Sequence, residues 1–336
     1  MKMKNNFIVM AALALVAGLL VAGTATACSE IYLKANNVSS RTFDFMVDSG
    51  VVLSSPRGVE HCSNYALPDE TPLSWTAKYG SLTFSTILKN DAGAIETGVD
   101  GINEAGFKVG TYYLPESVYP AGKGGTTLCV GSLIQYLVDN FATVDEAVAD
   151  MENPAYRLTS FPAQGLKMML HVYMHDAQGN SAMAEYVDGR LRITREPEIP
   201  VLTNTIYADA VKALGEYEDF GGTRAIPGHQ ESIDRFVRGA FYRKHLPEPK
   251  SDLEAVHDGF AMIQTIAVPP MFPHGCTYWT VVTDIKARKV CFRTLRNPEI
   301  CTVELDKLPL AEGNKEHRLF LPIQGLSGDI SASFSK

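Results

Sequence analysis

Strand-forming runs in this chain fold back on themselves through tight turns, which restricts the architecture more than any other feature of the sequence. "KMMLHVYMHDAQGNSAMAEYVDGRLRI" reads as two strands joined at Gly179-Asn180 and then turned at Asp188-Gly189 into a third. "TYWTVVTDIKARKVCFRTL" reads as a further hairpin. Earlier runs, "SEIYLKA", "SSRTFDFMV", "GSLTFSTIL" and "GFKVGTYYL", are rich in aromatic and β-branched residues and bounded by Gly, Asn and Asp. Parallel strands need long crossovers, so hairpins in series predict antiparallel sheet.

Helices are predicted in blocks between these strands. "SLIQYLVDNF" places Leu133, Ile134, Leu137, Val138 and Phe141 on one face, and Thr143 with Glu146 forms a capping box opening "TVDEAVADM". After a strand at "IPVLTN" come helices around "ADAVKALGEY", at "SIDRFVRGAFYRKHL" and, behind Ser251 and Glu254, at "SDLEAVHDGFAMIQTI". The class is α+β, with antiparallel sheet covered by segregated helices. No repeat or low-complexity stretch marks a linker, so residues 28–336 are expected to form a single domain.

Residues 1–27 read as a signal peptide. Lys2 and Lys4 supply positive charge, Phe7 to Gly23 is an apolar and small-residue run, and Ala25-Thr26-Ala27 is a small-x-small cleavage pattern. Two other fates compete: a retained membrane anchor, for which the run is at the lower length limit, and acylation of Cys28, which would leave a lipoprotein. Cleavage after Ala27 puts the protein in the periplasm or outside the cell, with no membrane contact thereafter. It also removes two of the 30 Lys and Arg against 38 Asp and Glu, taking the net charge from -8 to -10. An acidic chain without a basic run is poorly suited to nucleic acid or an anionic membrane, and a small, weakly charged or apolar substrate fits better.

Several chemistries lack their usual signatures: there is no G-x-S-x-G, H-E-x-x-H or G-x-G-x-x-G. "GKGGTT" around Lys123 lacks the P-loop spacing and reads as a surface turn. His171 and His175 sit in a strand-like run as structural residues, and Trp75 reads as a core aromatic. Six cysteines, at 28, 62, 129, 276, 291 and 301, show no C-x-x-C spacing. With Cys28 held apart, the rest permit at most two disulfides and one odd thiol.

Cys28 is the chemically pointed residue. If cleavage makes it the first residue, its α-amine can serve as the base that other cysteine enzymes take from a histidine. A thiol near pKa 8.5 and an α-amine near 7.7 to 8.0 lie within about one unit, so proton transfer between them costs little. Such a site also needs cations to favour thiolate, a carboxylate to orient the amine, and donors for an oxyanion. "RTFD" offers Arg41 and Asp44, which a strand antiparallel to "SEIYLKA" would return to the chain start. By itself the pattern is weak, since an Arg and an Asp in a strand are more often a surface ion pair.

At this point the sequence resembles a known family. Cys28 after a leader, "RTFD" at 41 to 44, "DGINEAGF" at 100 to 107, "VLTN" at 201 to 204 and "DRFVRGAFYRK" at 234 to 244 occur in the order seen in the choloylglycine hydrolase and penicillin V acylase family of N-terminal nucleophile amidohydrolases. "SWTAKYGS", "DNFATVDEAV" and "SAMAEYVDG" are similar to the exported penicillin V acylases of Gram-negative bacteria. The resemblance implies a four-layer αββα sandwich with two antiparallel sheets packed face to face. It implies Cys28 as nucleophile and proton shuttle, Arg41 against the sulfur, Asp44 holding the amine, Asn204 giving a side-chain amide to the oxyanion, and Arg235 steadying the charged centre. Tyr113 would give its backbone amide as the second oxyanion donor and its ring to the acyl group.

The same resemblance implies no metal, no organic cofactor and a homotetramer. It leaves three small-molecule amide substrates open: phenoxyacetyl-type penicillin side chains, glycine- or taurine-conjugated bile salts, and N-acyl homoserine lactones, with Tyr113 favouring the first and third. "TNTI" where relatives read "TNSP", Phe45 where they carry tryptophan, and a short stretch between Cys28 and Arg41 put acyl preference in question rather than catalysis. A rival of another class is a lipidated envelope protein that keeps the fold and binds without cleaving.

Overall fold

Hairpin follows hairpin from the first described residue. The computed structural model describes residues 28–91, 93–270 and 275–335; the expected signal peptide lies outside the described residues. The strands that build the two main sheets are, in order, β1 (Ser29–Leu33), β2 (Val38–Phe45), β3 (Gly50–Ser55), β4 (Ser81–Asn90), β5 (Gly93–Asn103), β6 (Lys108–Tyr113), β7 (Leu170–His175) and β8 (Ser181–Val187). They continue with β9 (Arg190–Arg195), β10 (Val201–Leu202), β11 (Cys276–Asp284), β12 (Lys289–Thr294), β13 (Asn297–Glu304), β14 (His317–Leu321) and β15 (Gly328–Asp329).

A seven-stranded sheet runs β10-β1-β2-β11-β12-β13-β15 and an eight-stranded sheet runs β9-β8-β7-β6-β5-β4-β3-β14. Neighbours are antiparallel, except that β15 joins β13 as a short parallel edge. The turn from β8 to β9 needs two left-handed residues, and Asp188 and Gly189 adopt φ of 55° and 76°. "GKGGTT" is a surface turn, with Lys123 exposed and Gly124 and Gly125 at φ of 61° and 74°.

Among the described residues five helices lie outside the sheets: α1 (Leu133–Asn140), α2 (Val144–Glu152), α3 (Tyr207–Leu214), α4 (Ser232–His245) and α5 (Asp252–Gln264). Thr143 accepts from the Glu146 amide and Ser251 from the Glu254 amide, each at 3.2 Å, as the capping patterns predict. α1 packs on β4, β5 and β6 and α2 on β8 and β9, while α4 and α5 cover β1 and its neighbours. The layers are therefore α, β, β, α, the sandwich the resemblance implies. Apolar residues from both sheets fill the space between them, for example Phe84 edge-on to Phe292 with centroids 5.2 Å apart.

β3 and β5 are strands that the sequence pattern did not predict. β5 reads "GAIETGVDGIN", poor in strand formers, and packing explains it: a Cβ at Gly98 would lie 2.7 Å from the Ile134 Cβ of α1. The helix rests on the bare backbone. Trp75 is half-buried and its indole Nε1 donates to Asp139 at 2.7 Å. All six cysteines are free. Among the described residues no helix is long and apolar enough to cross a membrane.

Candidate active site

Strand alternation sends Cys28 and Glu30 toward the opposite sheet and Ser29 toward the helices. Ser29 pairs with Thr42, which brings the "RTFD" segment of β2 beside the start of β1. The Cys28 Sγ lies 3.8 Å from the Asp44 carbonyl oxygen. Thr42 Oγ1 accepts from the Ser29 amide at 3.2 Å and donates to Asp44 Oδ2 at 2.9 Å. Across β2, Asp44 pairs with Thr277 of β11, whose hydroxyl donates to Asp44 Oδ1.

Arg235 arrives from α4. Its Nη1 donates to the Cys28 carbonyl at 3.2 Å and to Ser29 Oγ, and its Nη2 donates to Asn204 Oδ1 at 2.6 Å. Asn204, just after β10, is fixed a second time by its own amide donating to Ser232 Oγ at 2.9 Å. Its Nδ2 then donates to the Tyr113 carbonyl at 2.7 Å, across to the other sheet. One hydrogen-bonded chain thus links the Cys28 carbonyl, Arg235, Asn204 and Tyr113. An amide nitrogen carries two protons, so Asn204 Nδ2 has one N–H left for a ligand.

Arg41 lies on the inner face of β2. Its Nε donates to the Thr42 carbonyl at 3.3 Å and its Nη1 to the Val99 carbonyl of β5, and its guanidinium sits 4.8 Å from the centroid of the Tyr112 ring. Arg41 and Asp44 are both buried, and among the described residues they form no ion pair with each other. The surface-pair reading of "RTFD" is therefore set aside.

Burial dominates the electrostatics. It raises the Cys28 thiol pKa, with Arg41 the strongest influence in the opposite direction. It lifts the Asp44 carboxyl to about 6, against the pull of Arg235 and of the Thr277 and Thr42 hydroxyls. It also lowers Arg235, which Asp44 partly offsets. In a chain still joined to Ala27 the Cys28 nitrogen is an amide and no base, so this buried thiol stays protonated. A freed ammonium beside Asp44 would favour its carboxylate.

All six residues singled out in the sequence, Cys28, Arg41, Asp44, Tyr113, Asn204 and Arg235, stand in or beside this network. Sequence reasoning missed its fasteners, Thr42, Thr277 and Ser232, and a buried polar layer below it. In that layer Glu30 meets Lys108, Tyr112 and His175, and His171 bonds Glu185 at 3.0 Å and the Thr203 carbonyl at 2.9 Å. The signal available was a charge inside an apolar strand: Glu in "SEIYL" and Lys in "GFKVG".

Comparison with known proteins places the chain in a family. The sequence profile of linear amide C-N hydrolases, choloylglycine hydrolase family, matches residues 28–318. A penicillin V acylase of Pectobacterium atrosepticum is 32% identical over 330 residues, covering 89% of this chain and 86% of that one. The structure of a penicillin V acylase from Agrobacterium tumefaciens superposes with a TM-score of 0.76 at 30% identity, covering 91% of this chain and 96% of that one. A conjugated bile acid hydrolase from Clostridium perfringens shares the fold with a TM-score of 0.69 at 19% identity, over 88% of this chain and 96% of that one. The chain belongs to the linear amide C-N hydrolases of the choloylglycine hydrolase family, and it is a hydrolase of linear amides.

Proposed function

We propose that this protein is an exported amidase that cleaves aryloxyacetyl amides of the penicillin V type through a thioester on Cys28. The observation that carries the reading is the chain of hydrogen bonds from the Cys28 carbonyl through Arg235 and Asn204 to Tyr113, which gathers four distant segments around one thiol. The family match begins at Cys28, in keeping with a mature chain that starts there. Two relatives, 32% and 30% identical, are named penicillin V acylases, which favours that acyl group over bile acids.

In this mechanism the α-amine of Cys28, held by Asp44, takes the thiol proton, and Sγ attacks the amide carbonyl carbon. The oxygen becomes an oxyanion that accepts from Asn204 Nδ2 and the Tyr113 backbone amide. The ammonium then protonates the leaving nitrogen, the C–N bond breaks, and the acyl group stays on sulfur as a thioester. Water, deprotonated by the same amine, adds to the thioester, and the acid departs as the thiol regains its proton. No metal and no organic cofactor enters these steps.

Arg41→Lys is expected to lower kcat/KM about tenfold or more, because an ammonium lacks the planar fork that reaches two carbonyls while the guanidinium carbon sits over the Tyr112 ring. Steady-state kinetics on a phenoxyacetyl amide check this. The substrate reading is tested by a panel of penicillin V, glycocholate, taurocholate and N-acyl homoserine lactones of graded length. Penicillin V is expected to lead in kcat/KM, and a lactone or a bile salt in first place would overturn the acyl assignment. A diacylglyceryl adduct on Cys28 in the intact mass would overturn the amidase reading and support a lipidated binding protein.

A further inference from the structure

Below Cys28, the two sheets meet through charge rather than apolar side chains. Glu30, two residues along the same face of β1, has no measurable exposure, and four groups surround its carboxylate. Oε2 accepts from Lys108 Nζ at 2.7 Å and from the Tyr112 hydroxyl, and Oε1 accepts from Ser39 Oγ at 2.8 Å and meets His175 Nε2. Lys108 also lies 3.4 Å from Asp100 Oδ1. The register puts these groups together: Lys108, Gly110 and Tyr112 share the inner face of β6, Asp100 stands opposite Gly110 on β5, and His175 stands opposite Lys108 on β7. Gly110 leaves the space, since a Cβ there would run into the Tyr112 hydroxyl and sit 3.1 Å from Glu30 Oε2.

Stability does not explain such a layer, because a buried ion pair is commonly no more stable than apolar residues of the same volume. Its consequence is geometric. Glu30 stands directly across the ladder from Arg41, and the Tyr112 ring that Glu30 fixes by its hydroxyl is the ring beneath the Arg41 guanidinium. Arg41 has no carboxylate within ion-pair distance among the described residues, so its place depends on that ring and on two carbonyls.

We propose that Glu30 is a positioning residue for the nucleophile: clamped by Lys108 and His175, it orients Tyr112 and through that ring holds Arg41 where its charge favours the Cys28 thiolate. This deepens the proposed function and rests on Cys28 being the nucleophile. Lys108 and His175 hold the carboxylate well below the usual range against its burial, so Glu30 stays an anion at neutral pH. The titratable and charged groups interacting with it are Lys108, Asp100 and Tyr112 from β5 and β6, His175 and Tyr173 from β7, Arg41 from β2, and Tyr32 from its own strand.

The test compares the processed wild type with Glu30→Gln and Tyr112→Phe, the second keeping the ring in case the first fails to fold. The pH profile of iodoacetamide alkylation at Cys28, kcat and KM are measured together. Removing an anion would by itself favour thiolate and move the Glu30→Gln profile to lower pH, whereas loss of the Arg41 position moves it to higher pH. The expected result for both variants is a shift of about half a unit or more to higher pH, and a kcat lower by about tenfold with KM nearly unchanged. A lower melting temperature with wild-type kcat and profile, or a profile moved to lower pH, would overturn the positioning role alone. Wild-type activity that survives alkylation of Cys28 would overturn the nucleophile assignment and this role with it.

Discussion

Cys28→Ser is expected to lower turnover of a phenoxyacetyl amide by at least about a thousandfold. The substitution exchanges one atom in a buried position, so the fold is kept and the loss is chemical. A thiol and an α-amine are nearly matched in acidity, whereas a serine hydroxyl holds its proton many units more tightly, and the same amine cannot remove it at neutral pH. No neighbouring histidine compensates. His171 is engaged by Glu185 and the Thr203 carbonyl, and His175 by Glu30. Burst kinetics check this: the wild type is expected to accumulate a thioester detectable as a mass increment on Cys28, and the serine variant to release product at close to the background rate.

Asn204→Ala is expected to lower kcat by roughly one hundred- to one thousandfold, as the loss of the proposed oxyanion donor would, at about 3 to 4 kcal/mol of barrier. KM should change little, since the bond strengthens as the carbonyl oxygen acquires charge. The structure adds a second effect. Asn204 Oδ1 is the acceptor for Arg235 Nη2, and Nδ2 serves the Tyr113 carbonyl, so truncation leaves a buried guanidinium short of a partner. That costs about 1 to 3 kcal/mol of stability, read as a lower urea midpoint. A variant with unchanged kcat and lower stability would mean that Asn204 is scaffold only.

The sequence carried the layers further than it carried the site. Hairpin turns at Asp188-Gly189, the capping serine and threonine, and the apolar face of α1 follow local rules, and local rules can be read from a string of residues. β5 could not, because Gly98 and Gly101 oppose strand formation and are called for by close neighbours that the local sequence does not show, Ile134 of α1 against both and Thr83 of β4 against Gly101. Cys28 was singled out by the leader and its own chemistry, and Arg41 and Asp44 by their expected strand pairing, although spacing leaves that pair indistinguishable from a surface pair; Tyr113, Asn204 and Arg235 were reached by resemblance alone. Thr42, Thr277 and Ser232 were invisible because hydroxyls in strands and at helix starts are common. Glu30 and Lys108 were overlooked for a different reason: a charge in a strand reads as solvent-facing until the opposite sheet is in place.

The α-amine of Cys28 as base is the claim on which the mechanism turns, and comparing activity before and after its release tests it most directly. The full-length chain and the chain beginning at Cys28 are purified, their amino termini are fixed by intact mass, and turnover of a phenoxyacetyl amide is measured for each. Activity is expected only where Cys28 carries a free amine. Equal turnover by a chain whose Cys28 is still joined to Ala27 would contradict it.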